Sequence, residues 1–298
     1  MDYLLFPFDF LGRVYNINTT PFTKEKLKIG KKYAKKCHCV IGTLLRDAED
    51  SYSYGVELIK TFSKIFKTVD LIILENDSED RTRKLWTKYS EKCPENVKIF
   101  LSSPDKKDKD LKYKTVSHET TDIRMRKMVK LRNILLKNIK AKSRKVDYET
   151  YVFITDLDIK GHLGKEGIYD TFYRFKRTLV SDAKSVQKSD TKKQNKKSQK
   201  LDAIGCNGLT WKCFYFDDYA YQNRISRVYS AVDVPVNKGL YPVISTFSGG
   251  VFYKYDSLAK LKYKFKKNGN RIICEHVTIN EKIKIAINTN MIYNISSH

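Results

Sequence analysis

Tyr151-Val152-Phe153-Ile154-Thr155-Asp156-Leu157-Asp158 is the stretch whose reading decides the fold. Four apolar residues in a row have the length of a buried strand, and the run ends directly on two carboxylates. Side chains alternate along extended chain, so Asp156 and Asp158 are expected on one face, about 6–7 Å apart. Two acids held so close repel unless a cation lies between them. Mg²⁺ or Mn²⁺ suits the position, because hard cations take carboxylate and phosphate oxygens together. D-x-D by itself is a weak motif; its place after a buried strand gives it weight.

Upstream, the same kind of strand recurs between helical patterns. Cys39–Leu45, Val69–Leu74 and Val97–Leu101 are short apolar runs. Between them, residues 52–66 repeat Leu58, Ile59, Phe62, Ile65 and Phe66 at helical spacing. Asp77, Ser78 and Asp80 offer N-cap chemistry for a helix near 79–92. Residues 122–140 carry Met128, Leu131, Leu135 and Ile139 on one helical face, and 103–115 reads as loop. Downstream, 201–205 reads as a strand, and 243–255 as one or two more, broken at Gly249-Gly250. Strands alternating with helices predict an α/β domain with a mainly parallel central sheet flanked by helices. In such sheets ligands bind beyond the carboxyl ends of the strands. The residues found there are Arg46-Asp47, Glu75-Asn76-Asp77-Ser78 and Asp156-Leu157-Asp158.

The 298 residues fit one large domain, with 41% apolar and 12% aromatic residues to build its core. The expected division is an N-terminal extension over 1–36, a catalytic domain over 37–285 and a C-terminal tail over 286–298. Residues 182–200 are lysine-rich and lack aromatics, and read as an exposed or disordered insertion. Lys and Arg number 58 against 34 acids, a net charge of +24 that favours polyanions: nucleic acid, an anionic membrane or phosphorylated ligands. No apolar run is long enough to span a membrane, and the N-terminus lacks the basic start of a signal peptide. A cytoplasmic enzyme is therefore expected. The six scattered cysteines read as buried free thiols, Cys37-His38-Cys39 included, because no second Cys/His pair lies at zinc-finger spacing.

The ordered motifs resemble a family. Val40–Asp47 followed by Leu74-Glu75-Asn76-Asp77-Ser78-Glu79-Asp80-Arg81-Thr82 is similar to the start of metal-dependent GT-A glycosyltransferases. The E-N-x-S-x-D-x-T form resembles the fungal capsule-associated α-1,3-mannosyltransferase family and its viral and bacterial relatives. Arg132-Asn133, Asp202–Gly208, Phe216–Tyr221, Phe247–Gly250 and Cys274–Val277 continue the resemblance in order, over roughly residues 38–285. It implies a single GT-A, Rossmann-like nucleotide-diphospho-sugar transferase domain that moves a sugar from a nucleotide-sugar donor with Mn²⁺ or Mg²⁺. GDP-mannose or a UDP-hexose is the implied donor, and a glycan, glycolipid or glycoprotein the acceptor, with retention of configuration by analogy. Position by position, Asp156 and Asp158 would hold the metal, with His276 as a further ligand. Glu75, Asn76 and Asp77 would contact the nucleoside, Arg46 would help cradle the base or diphosphate, and Arg132 would meet phosphate or orient a carboxylate. Asp217 would be the catalytic carboxylate, with Asn207, Asp218, Gly249 and Gly250 lining the sugar and acceptor pocket.

Two other classes compete. A basic nucleic-acid-binding protein would need aromatics interleaved with its lysines, and the densest lysine run has none. A metal-dependent nucleotidyltransferase would share the carboxylates and the nucleotide. Peripheral contact of the basic surface with an anionic membrane fits the charge, and the composition, rich in Lys, Asn, Ile and Tyr, fits an AT-rich viral or microbial genome.

Overall fold

The computed structural model describes residues 23–105, 108, 111, 121–184, 201–210, 217–222, 234, 236 and 238–297. Side chains at 178–184, 218 and 297 lie outside that description, as do residues 185–200 of the 182–200 lysine-rich insertion. The chain is an α/β domain. Its elements run α1 (Lys24–Ala34), β1 (His38–Leu45), α2 (Tyr52–Ile65), β2 (Thr68–Glu75), α3 (Thr82–Ser90), β3 (Val97–Ser102), α4 (Asp122–Lys142) and β4 (Thr150–Thr155). Then come β5 (Lys160–Leu163), α5 (Lys165–Lys184), β6 (Ala203–Thr210), β7 (Leu240–Val243), β8 (Gly250–Lys254) and α6 (Tyr255–Leu258). The chain closes with β9 (Lys266–Asn268), β10 (Arg271–Ile273), α7 (Glu275–Asn280) and β11 (Ile285–Ser297).

One central sheet has the order β3-β2-β1-β4-β8-β6-β11-β5, with β7 also on β11. The first four strands are parallel, as their alternation with helices requires. Beyond β4 the sheet is mixed rather than mainly parallel: β8 runs antiparallel to β4 and β6, and β5 and β7 antiparallel to β11. β5 follows β4 closely in the chain but pairs with β11 at the far edge of the sheet, not with β4.

Alternation along β4 builds two cores. Phe153 faces Phe62, Phe66, Phe172 and Phe252, whereas Val152 and Ile154 face Leu131, Leu135, Ile139 and Tyr253. The helices thus cover both faces, α1, α2 and α5 on one, α4 and α7 on the other. On α4 the deeply buried methionine is Met125, and Met128, expected in the core, is half-buried.

Three expectations shift. Residues 286–298, expected as a tail, belong largely to β11, which pairs with β6, β5 and β7 inside the sheet. Residues 182–184, expected in the exposed insertion, end α5. The third helix begins at Thr82, not 79, because Ser78 and Asp80 are engaged by the neighbouring loop: they accept from the backbone N–H groups of Asp47 and Glu49 at 3.1 and 2.9 Å. Of 243–255 the structure makes chiefly one strand, β8, which Gly250 opens, while β7 ends at Val243, before the glycine pair. The cysteines read as thiols hold true where described: Cys37, Cys39, Cys93, Cys206 and Cys274 are free, and Cys213 lies outside the described residues.

Candidate active site

Two loops beyond β1 and β2 are laced together. Besides the bonds from Asp47 and Glu49, Ala48 N–H donates to Thr82 Oγ1 at 2.7 Å, Glu79 N–H to Asp47 Oδ1 at 2.7 Å, and Arg81 N–H to Glu49 Oε2 at 2.9 Å. Within this frame Glu75 is already spent. Its Oε1 accepts Ser78 N–H at 2.6 Å and its Oε2 accepts Arg83 Nη1 at 2.8 Å. Asn76 is buried with Oδ1 unpartnered, whereas Asp77 is exposed. Arg46 is half-buried, its Nε 3.3 Å from Asp47 Oδ2. Lys127, on the α4 face above, is buried, and its ammonium is pushed below the ordinary lysine range by that burial and by Arg46. Sequence reasoning passed over Lys127; a lysine on an otherwise apolar helix face was the available signal.

Asp156 and Asp158 lie in the turn between β4 and β5, Asp156 directly past the strand. Asp156 Oδ1 accepts from Arg132 Nη2 at 3.3 Å, and Arg132 Nε lies 3.6 Å from Glu275 Oε1. The guanidinium is buried, and its face covers the Phe247 ring at 5.0 Å. Burial alone would lower the Arg132 pKa, but Asp156 and Glu275 raise it. It is charged at any working pH. Beside it, Asn133 grips the backbone of Tyr263 with both amide atoms. Helix α4 thus sends one residue to the carboxylates and the next to the segment behind them.

Asp217 joins the group. Burial, then Asp156 and Glu275, push its carboxyl up to about 7. Asp158 is also pushed up to about 7, by enclosure in the surrounding protein and by Asp156, although solvent reaches it from one side. Asp156 and Glu275 meet one guanidinium, Asp158 and Asp217 lie near enough to Asp156 to feel its charge, and carboxylates outnumber the buried cation. Glu275 is a site residue that sequence reasoning missed: it stood in the Cys274-Glu275-His276 motif, but the histidine drew the attention. His276 is buried, with its ring stacked on Phe247 at 3.6 Å and edge-on to Tyr263 at 5.5 Å. Burial and Arg132 hold its pKa well below the usual value, so it is neutral, and neither ring nitrogen has a hydrogen bond.

The donor chemistry of Asp156 and Asp158 fits a hard divalent cation, and the surplus of carboxylate over guanidinium leaves charge for it to offset. His276 is not gathered with them. Its nearest carboxylate is Glu275, at 3.7 Å, and among the described residues no three His, Cys, Asp or Glu side chains form a ready ligand set.

The remaining expected positions are placed as follows. Gly249 has φ +80°, and a Cβ there would lie 1.9 Å from the Tyr293 ring. A Cβ on Gly250 would lie 2.4 Å from Phe153. The space these glycines leave is filled by aromatic side chains of the core rather than left open to a ligand. Asn207, on β6, is fully buried with both amide atoms unpartnered. Asp218 opens a 3₁₀ turn (Asp218–Ala220), and its side chain lies outside the described residues. Asp47, Asp77 and Asp217 have φ of 47°, 53° and 60°, the non-glycine residues of positive φ among those described. Such strain persists where surrounding contacts hold it, and here all three sit at the carboxyl edge of the sheet or beside the carboxylates.

No family model matches the chain. No curated protein matches it either. Solved structures similar to it include S. aureus TarS 1-349, at 15% identity and a TM-score of 0.45, over 87% of this chain and 60% of that one. The same protein in complex with UDP-GlcNAc matches at 14% and 0.44, over 88% and 58%. The mannosyltransferase PcManGT from Pyrobaculum calidifontis, in complex with GDP-Man and Mn²⁺, matches at 9% and 0.46, over 89% and 58%. The chain spans less than two thirds of the length of each of these proteins. Among the described residues no helix is long and apolar enough to cross a membrane.

Proposed function

We propose that this protein is a metal-dependent glycosyltransferase of the GT-A type, which moves a hexose from a nucleotide-sugar donor to a glycan, glycolipid or glycoprotein. The observation that carries the reading is the pairing of Asp156 and Glu275 with buried Arg132, with Asp158 and Asp217 beside Asp156, beyond the strand ends where an α/β sheet binds its ligand. The order of motifs seen in the sequence supports the same reading, with GDP-mannose as first donor candidate and a UDP-hexose as second.

Asp156 and Asp158 would hold Mn²⁺ or Mg²⁺, which would supply positive charge to offset the negative charge of a departing nucleoside diphosphate. Arg132 orients Asp156 and adds a fixed, buried positive charge to the site. Arg46 faces the diphosphate, where a guanidinium makes paired bonds to phosphate oxygens. Asn76 and Asp77 take the nucleoside contacts, and Glu75 acts as a positioning residue through Ser78 and Arg83. Asp217 is the carboxylate beside the transferred sugar. Buried Asn207, with an unspent donor and acceptor, suits a sugar hydroxyl.

The test is hydrolysis and binding of UDP- and GDP-sugars with Mn²⁺, by wild type and by Asp158→Ala. Turnover of one donor, abolished in the variant, is the expected result. A wild-type protein that neither binds nor hydrolyses any nucleotide sugar sinks the proposal. Release of pyrophosphate from a nucleoside triphosphate would favour nucleotidyl transfer instead.

A further inference from the structure

Away from this site, α1 carries a feature that stability does not account for. Lys24, Lys28, Lys31 and Lys35 follow one another at steps of four, three and four, so they form a single line along the helix and its C-cap. All four are exposed, Lys32 and Lys36 flank them, and none pairs with a carboxylate among the described residues. Like charges at this spacing weaken a helix, and Lys24 stands at the end whose dipole repels cations.

The opposite side of α1 is anchored firmly. Ala34 is fully buried, and a Cβ on Gly30 would lie 1.9 Å from the Tyr169 carbonyl of α5. Tyr33 turns inward, hydrogen-bonded to Tyr151 at 2.9 Å. The result is a row of ammonium groups about 16 Å long at ~1.5 Å per residue, exposed among the described residues.

We infer that this lysine row is a docking surface for an anionic lipid bilayer. A row along one helix meets a plane of headgroups with every charge at once, and juxtamembrane basic clusters bind anionic lipid in this way. Single-stranded nucleic acid fits less well, since it calls for exposed aromatics to stack bases. Among the described residues the exposed large hydrophobics are Tyr54 and Ile123, neither of them on α1. Among the described residues α1 brings no exposed large hydrophobic side chain to the row, so its binding is electrostatic and salt screens it.

The experiment is co-sedimentation of the full chain with vesicles of phosphatidylcholine alone or with about 30% phosphatidylserine, at low and high NaCl. Two variants of equal charge change are compared: Lys24→Gln/Lys28→Gln/Lys31→Gln/Lys35→Gln, and Lys84→Gln/Lys88→Gln/Lys137→Gln/Lys140→Gln on exposed positions of α3 and α4. Circular dichroism checks that both fold. Wild type and the α3/α4 variant should bind the anionic vesicles, and the α1 variant should bind at least about tenfold less. The inference is overturned if wild type ignores anionic vesicles, if both variants lose binding equally, or if RNA at equal phosphate displaces the protein from the vesicles.

Discussion

Asn133 holds the backbone of Tyr263 from both sides: its Nδ2 donates to the Tyr263 carbonyl and its Oδ1 accepts the Tyr263 amide, each at 3.0 Å. This pair ties α4 to the segment that seats the Tyr263 ring against His276, next to the residue that meets the carboxylates. Asn133→Ala leaves two backbone groups unpaired. It should cost about 2–3 kcal/mol of stability, read by urea unfolding. Asn133→Asp keeps the acceptor and should lose less; equal losses in the two variants would contradict the two-sided grip.

Gly249 should tolerate no side chain. Its φ of +80° and the Tyr293 ring in the Cβ position act together, and strain plus overpacking should make Gly249→Ala about 3 kcal/mol less stable. A variant melting with wild type would show that Tyr293 has room to move. Gly249→Ala/Tyr293→Ala should recover part of the loss, because the steric share then disappears and only the backbone share remains.

Asp70 makes a buried ionic cluster at the other end of the strands. His38 Nε2 lies 3.2 Å from its Oδ2, and Arg144 Nε donates to its Oδ1 at 2.6 Å. Burial alone would raise its pKa, but hydrogen bonds from His38 and Arg144 outweigh that and lower it. A carboxylate whose native pKa lies below its unfolded value of about 3.9 contributes stability above that pH and loses it as pH falls through the native value. Asp70→Asn should therefore cost about 3 kcal/mol at neutral pH. The gap from wild type should close as pH falls below about 4. A gap that stays constant down to pH 2 would refute the ionic account.

Asp217 is expected to trade stability for function. Its carboxyl is crowded by Asp156 and Glu275, and it keeps a left-handed backbone with Oδ1 accepting Ala220 N–H at 3.3 Å. Asparagine accepts the same bond and adopts the same backbone. Asp217→Asn should thus raise the metal-free melting temperature by about 2–4 °C, while donor turnover falls by about 100-fold. A variant that is less stable and equally active would remove Asp217 from the site.

Much of the fold could be read from residues alone. The runs at 39–45, 69–74, 97–101 and 151–154 are strands because mainly apolar segments of that length have to be covered, and that depends only on local order. Arg46, Glu75 and the two aspartates after β4 were found by the same rule. The last strand was not legible. β11 shifts register between Ile287 and Ile292, and its middle is Asn288-Thr289-Asn290. Those polar groups are buried because Thr171 and Asp170 of α5, some 120 residues away in sequence, accept from Asn288 and Asn290. No local pattern announces such partners.

The chain order of apolar runs and acids thus determined the parallel half of the sheet and where its ligand edge lies. Tertiary structure alone decided which charges meet there. It brought Glu275 to Arg132, stacked His276 on Phe247, spent Glu75 on its own loop and filled the Gly249 gap with Tyr293. Burial and strand length are properties of neighbours in sequence, whereas a carboxylate's partner and its desolvation are set by segments that meet only after folding.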